Sequence, residues 1–357
     1  MKLNRSSSPC DRGAKGIAKV RGKLLQSGFL SGLIQLMTAR QTNNRHSIIR
    51  LGSDTNTAIL HCLEYGYSTT MSHLTDSSQR FLFDGVDVRG ESVRIASALT
   101  DMLGNQAYSP TLKCLLGEFA AAAVLISNNL KYEGRIILQA RSKQAVSLVM
   151  VECSSERHIR GIAQGDLSAD ADDPMTLLAD GQLVLTVERE AGQRYQGIIA
   201  LKGGTLAGAL EHYFSQSEQL GTRFWLASDG VHSAGLMLQQ LPAQLADGEK
   251  RSEQWSTLCL LTETVQADEL LDLTPEALLF KLYQEETVTV YPPAPILFKC
   301  RCSRERSADA ISLLPESERE EILADQGDIT MTCELCGTTY RFGREVLSTH
   351  SAGKTLH

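Results

Sequence analysis

Four cysteines near the C-terminus have the residue type and the spacing to hold a metal ion. They run Cys300-Arg301-Cys302 and then, after residues 303–332, Cys333-Glu334-Leu335-Cys336. Two close pairs of thiols supply the donors of a tetrahedral Zn²⁺ site, each pair chelating from one tight turn. The first pair encloses a single residue, where about two to four are usual. Thiolates that close can chelate an ion and are also poised to bond to each other. The spacing therefore suits a static structural zinc, and equally a zinc clip that oxidation can open. Lys299, Arg301, Arg304, Arg306, Arg341 and Arg344 surround the quartet in sequence. Four thiolates on one Zn²⁺ leave a charge of about −2, which such cations would offset while favouring the thiolate that oxidants attack.

Other candidates are weaker. Lys202-Gly203-Gly204-Thr205 has the wrong order for a phosphate-binding loop and reads as a strand-to-helix turn. His73, His158, His212 and His232 lack metalloprotease spacing, and Glu211 and Asp229 read as ordinary acids. No nucleophile–His–acid set stands out, so no catalytic residue is assigned and turnover of a small molecule is not expected. Cys10, Cys62, Cys114, Cys153 and Cys259 are scattered without partner spacing. That usage fits a reducing cytosol better than a disulfide-stapled secreted protein.

The elements that must position the quartet come next. The chain has 357 residues, 42% of them apolar and 22% charged, enough for two domains. No apolar run long enough for a membrane span is expected. The net charge of −7 is unevenly spread: residues 1–70 carry ten Lys or Arg and three acids (+7), residues 71–357 carry 25 and 39 (−14). Residues 1–70 read as a basic extension, either disordered or the product of an upstream start, with the functional chain beginning at Met71.

Beyond Met71 the pattern predicts an α+β fold: an antiparallel-sheet core with helices over residues 71–246, an acidic helical linker over 247–299, and a small Cys₄ zinc domain over 300–357. In the core, helices are expected at Glu91–Asn105, Thr111–Asn129 and Thr205–Ser217. Strands are expected at Arg135–Ala140, Ala145–Glu152, His158–Gln164, Leu183–Glu188 and Tyr195–Leu201, mostly antiparallel because the turns between them are short. In the linker, ten acids face four bases. Helices are expected at Trp255–Val265 and Pro275–Glu286, with Thr274 as N-cap and Leu278, Leu279, Leu282 and Tyr283 as one apolar stripe. A strand at Thr287–Tyr291 precedes Pro292-Pro293.

Size gives the ion leverage. A region of about sixty residues lies near the limit of what folds alone, and structural zinc contributes roughly 10–16 kcal/mol in small finger peptides. Losing the metal should unfold this region and deprive the attached linker of its support.

Several segments carry a family resemblance. They are Tyr195-Gln196-Gly197-Ile198-Ile199, Tyr213-Phe214-Ser215-Gln216-Ser217-Glu218-Gln219-Leu220 and Leu241-Pro242-Ala243-Gln244 in the core. The linker adds Leu261-Thr262-Glu263-Thr264 and the run from Leu282 to Tyr291; the zinc region adds Phe298-Lys299-Cys300-Arg301-Cys302-Ser303-Arg304-Glu305-Arg306. Across residues 71–357 the chain resembles the bacterial redox-regulated holdase chaperones, the 33 kDa chaperonin or heat-shock protein family. The resemblance implies a cytoplasmic, ATP-independent chaperone for unfolding or oxidatively damaged proteins. Cys300, Cys302, Cys333 and Cys336 would hold one Zn²⁺ in the reduced, inactive state. Oxidation would form Cys300–Cys302 and Cys333–Cys336 disulfides, release the metal and unfold the linker. The protein would then dimerise, hold clients and later pass them to ATP-dependent foldases. No nucleic-acid or membrane partner is implied. The alternative is a zinc-ribbon nucleic-acid binder, weakened by the −14 balance after Met71. A thiol–disulfide oxidoreductase using Cys333–Cys336 lacks the expected βαβ context.

Overall fold

A computed structural model describes residues 49–51, 76–104, 106–129, 133–190, 194–217, 220–245 and 248–344. The remainder of the basic extension lies outside the described residues, and so do the first residues of the expected core, His73 among them. In chain order the strands and helices begin with β1 (Ile49–Leu51), β2 (Ser77–Phe83), β3 (Val88–Ile95), α1 (Ser97–Leu103) and α2 (Pro110–Asn129). Next come β4 (Gly134–Arg141), β5 (Val146–Ser154), β6 (His158–Gly165), β7 (Gln182–Arg189), β8 (Tyr195–Ala200), α3 (Leu206–Ser217), β9 (Thr222–Ser228) and β10 (Ser233–Gln240). The linker supplies α4 (Gly248–Thr262), α5 (Ala267–Asp272), α6 (Pro275–Tyr283), β11 (Val288–Val290), β12 (Ala294–Pro295) and β13 (Leu297–Phe298). The C-terminal region holds α7 (Arg304–Ser312), α8 (Glu316–Gln326), β14 (Ile329–Thr332) and β15 (Thr339–Phe342).

Two sheets enclose one helix. The first runs β1-β11-β2-β3-β10-β9 with β12 also on β2; the second runs β13-β6-β5-β4-β7-β8. Helix α2 lies between them, which is why most of its length is apolar: Leu115, Leu116, Phe119, Ala120–Ala123, Val124 and Leu125 are all buried. Its length and composition meet the requirement for a membrane span, contrary to the sequence expectation, but most of it is packed inside the protein. The core around it takes Val93, Ile95 and Met237 from the first sheet, with Ile136, Leu138, Val149, Val151 and Leu185 from the second. Gly203 and Gly204, both at positive φ (93° and 84°), make the expected turn from β8 into α3.

The strands β4–β8 fall where alternation and turns place them, and all their pairings with one another are antiparallel. The expected helix at Glu91–Asn105 is half wrong: residues 88–95 form β3, paired with β2 and β10, and helix begins only at Ser97. Glu91 misleads because it is a buried carboxylate on the inner face. It accepts from Ser78 Oγ at 2.6 Å and Asn128 Nδ2 at 2.9 Å, and burial holds its pKa above the ordinary carboxylate value. Strands β2, β9 and β10 were not anticipated, so the core has strands at both ends and not only in its middle.

Pleating sends alternate residues of the first sheet outward, where Phe81, Phe83, Val88, Leu236 and Leu238 form a second apolar layer. The linker covers it. Leu278, Leu279, Leu282 and Tyr283 of α6 are all buried there, as the stripe predicts. Tyr283 stacks edge-on against Phe83 at 4.9 Å, and its hydroxyl meets Thr262 Oγ1 of α4 at 2.5 Å. Thr274 caps α6 by accepting from the Ala277 amide at 3.3 Å, with Pro275 in the first turn. Helix α5 was not expected; Arg94 of the core donates to Leu271 O at 2.6 Å at its end. After α6 the chain adds β11 to the first sheet and then β13, in parallel, to the second.

Candidate metal centre

The first cysteine pair follows directly from β13. The Leu297 amide donates to Arg157 O at 3.2 Å and the Lys299 amide to Ile159 O at 3.1 Å, so Cys300 emerges beside β6. Beyond Cys302, Ser303 caps α7 by accepting from the Arg306 amide at 3.2 Å. The second pair lies in the turn of the β14–β15 hairpin. There the Gly337 amide donates to Cys333 O at 2.8 Å and the Cys333 amide to Thr338 O at 2.9 Å. Gly337 sits at φ 70°, a left-handed conformation that favours glycine. Behind the hairpin the apolar cluster is small: Ala308, Ile311, Leu323, Ile329 and Phe342. A core of that size does not sustain a domain by itself.

The four sulfurs converge. All lie within 4.8 Å of one another; Cys300 and Cys333 are 3.7 Å apart, Cys302 and Cys336 3.3 Å. A tetrahedral ion with thiolate legs of about 2.3 Å has sulfur–sulfur edges of about 3.8 Å, so the cluster could hold a metal ion. All four thiols are free, and each side chain is partly buried. The Tyr340 hydroxyl lies 3.2 Å from Cys302 Sγ, and the Thr338 hydroxyl 3.2 Å from Cys336 Sγ. Burial pushes the Cys300 thiol up to about 12 and raises Cys333 as well. Burial also acts against Cys336, but hydrogen bonds from Thr338 and the neighbouring thiols outweigh it and bring that thiol down to about 7.

The cations near the cysteines in sequence are largely occupied elsewhere. Arg304 donates to Arg341 O at 2.7 Å and lies over the Phe342 ring. Arg306 donates to Arg301 O at 3.0 Å, and Arg344 pairs with Glu320 at 2.7 Å. The guanidinium that senses Cys300 is Arg160 of β6, whose pKa burial lowers but Glu152 and then Cys300 raise on balance, and which sequence spacing gave no means of finding. Gln164 of the same strand donates to Glu334 at 3.0 Å, tying the second pair to the core.

The remaining singled-out residues are not part of the cluster. His158 pairs with Glu156 and His232 with Asp229, each at 3.1 Å. His212 contacts Gln216 on the surface, and Glu211 accepts from the Phe224 amide at 2.8 Å. Cys114 is buried on α2. The free thiols of Cys153 and Cys259 are buried too, which pushes them up to about 12 and about 11.

Sequence comparison places this architecture among known proteins. The family model described as Hsp33 protein matches residues 76–343. The 33 kDa chaperonin of Pseudomonas aeruginosa is 48% identical over 277 residues, covering 76% of this chain and 93% of that protein. The 33 kDa chaperonin of Azotobacter vinelandii is 45% identical over 273 residues, covering 75% and 91%. Among solved structures, the 33 kDa chaperonin (heat shock protein 33 homologue) of Thermotoga maritima superposes with a TM-score of 0.67. It covers 77% of this chain and 97% of its own, at 22% identity, which speaks to the fold alone. The family match and the two bacterial relatives together establish that the chain belongs to the Hsp33 family of chaperones.

Proposed function

We propose that this chain is an ATP-independent holdase of unfolding proteins, kept inactive by Zn²⁺ on Cys300, Cys302, Cys333 and Cys336 and activated by their oxidation. One observation carries the proposal. The linker stripe Leu278, Leu279, Leu282 and Tyr283 covers the outer apolar layer of the first sheet, and the same stretch of chain runs without a break into Cys300. Anything that dismantles the cysteine cluster loosens the end of the cover.

Oxidation removes the donors. Two thiolates joined as a disulfide lose two electrons to one hydrogen peroxide, which takes up two protons and leaves as two waters. Two such steps, pairing Cys300 with Cys302 and Cys333 with Cys336, consume all four ligands, so the ion has nothing left to bind. With its small apolar cluster the region from Arg304 to Arg344 then unfolds, the linker lifts, and Phe81, Phe83, Leu236 and Leu238 face solvent. An exposed apolar patch of this kind is what an unfolding client, or a second copy of the chain, can bury. Reduction and zinc rebinding reverse the change and release clients to ATP-dependent foldases in the cytoplasm.

A peroxide titration of the reduced, zinc-loaded protein tests this. About one zinc per chain should be released, in step with suppression of aggregation of a thermally unfolding client. Zinc that stays bound at full thiol oxidation, or leaves without any gain in suppression, would sink the proposal.

A further inference from the structure

Glu152 stands on the outer face of the second sheet, opposite in pleat to the inward Val151 and Cys153, yet only 5% of it is exposed. Three guanidiniums close over its carboxylate: Arg160 at 2.7 Å, Arg301 at 3.5 Å and Arg135 at 3.7 Å. Arg135 is shared with Glu188. The other two connect it to the cysteine cluster. Arg301 is the single residue between Cys300 and Cys302, and Arg160 hydrogen-bonds Glu152 from β6, the strand beside which Cys300 emerges. Elsewhere the first cysteine pair is joined to the core through β13, by its two-residue pairing with β6, the amide of Lys299 and the packing of Ile296 and Phe298 on the main apolar cluster. Pairing that short is weak alone.

The charges match as well. Arg160 and Arg301 against one carboxylate leave an excess positive charge near Cys300, one of four thiols whose metal complex carries about −2. The unusual spacing of the first pair also acquires a use, because the one intervening side chain reaches back to the core.

We infer that Glu152 is the positioning residue that fastens the Cys300-Arg301-Cys302 segment to the core, so that cluster and sheet part together. For its consequence in the cell the inference rests on the redox reading above. Closing Cys300 and Cys302 into a disulfide brings their sulfurs to about 2.05 Å. The backbone that must bend to allow it is that of Arg301. The same bond that removes two ligands therefore draws the guanidinium off Glu152.

The test is made before any oxidant is added, on the reduced, zinc-loaded, full-length protein. Amide hydrogen exchange is followed over residues 297–302. Glu152→Gln and Arg301→Gln are each expected to speed it about fivefold, and the double variant no more than either single one. Should Glu152→Gln weaken the sheet itself, Arg301→Gln reads the same contact from its partly exposed side. Wild-type exchange in Arg301→Gln, or effects that multiply in the double variant, would overturn the inference. The outcome is separable from the function proposal: a wild-type protein that gains no holdase activity under peroxide leaves the exchange result standing.

Discussion

Each cysteine supplies one quarter of a donor set, and a hydroxyl is a poor substitute for a thiolate on zinc. Cys302→Ser is therefore expected to weaken zinc binding at least about tenfold and to leave residues 300–344 partly unfolded in reducing buffer. Some suppression of client aggregation should then appear without oxidant; a variant that stays folded and inert counts against the switch. The quartet was legible in the sequence because ligand spacing is a local property that survives without knowledge of the fold. The residues that hold it were not. Glu152 and Arg160 come from β5 and β6, where alternation marks them as outward-facing and says nothing about what arrives there. The opposite error concerned Arg304, Arg306 and Arg344, whose nearness in sequence suggested thiolate partners, while the fold turns them toward carbonyls, a ring and Glu320.

Among the elements, α6 bears the burden of closure. Leu279 is fully buried between the linker and the first sheet, so Leu279→Ala should weaken docking by about 2–5 kcal/mol. Protease cleavage of the linker in the reduced protein measures this. Cleavage unchanged from wild type would mean that the stripe does not hold the cover. The strands β4–β8 could be read from sequence because one face packs on α2 and the other meets polar surroundings, which imposes a period of two. The first sheet lacked that signature. Its outer face is apolar under the linker and its inner face apolar over α2, so β10 is buried along nearly its whole length and shows no alternation. In β2 the first residues, Ser77, Ser78 and Gln79, are polar yet buried. Strand β3 combined both problems, with Glu91 in the place of an inward apolar residue. The two strands that close the linker onto the sheets, β12 and β13, span two residues each, too few for any pattern.

At the scale of the whole molecule the layers run linker, first sheet, α2, second sheet, with the cysteine cluster beside β6. Stability is unequally shared. The two-sheet core has an extensive buried interior, whereas the C-terminal cluster rests on five buried apolar side chains. Chelation of the metal in reducing buffer is accordingly expected to abolish exchange protection over residues 300–344 while the core keeps its cooperative melt. A single transition common to both regions, unmoved by the chelator, would speak against a separately metal-dependent region. The path of the chain between the layers has a further consequence. Because β11 lies on β2 and β13 on β6, lifting this stretch strips a neighbour from each sheet and leaves main-chain amides and carbonyls unpaired along β2 and β6. Such an open border zips onto any extended backbone whatever its side chains, so capture there would be indifferent to the identity of the guest and sensitive only to whether it has come undone.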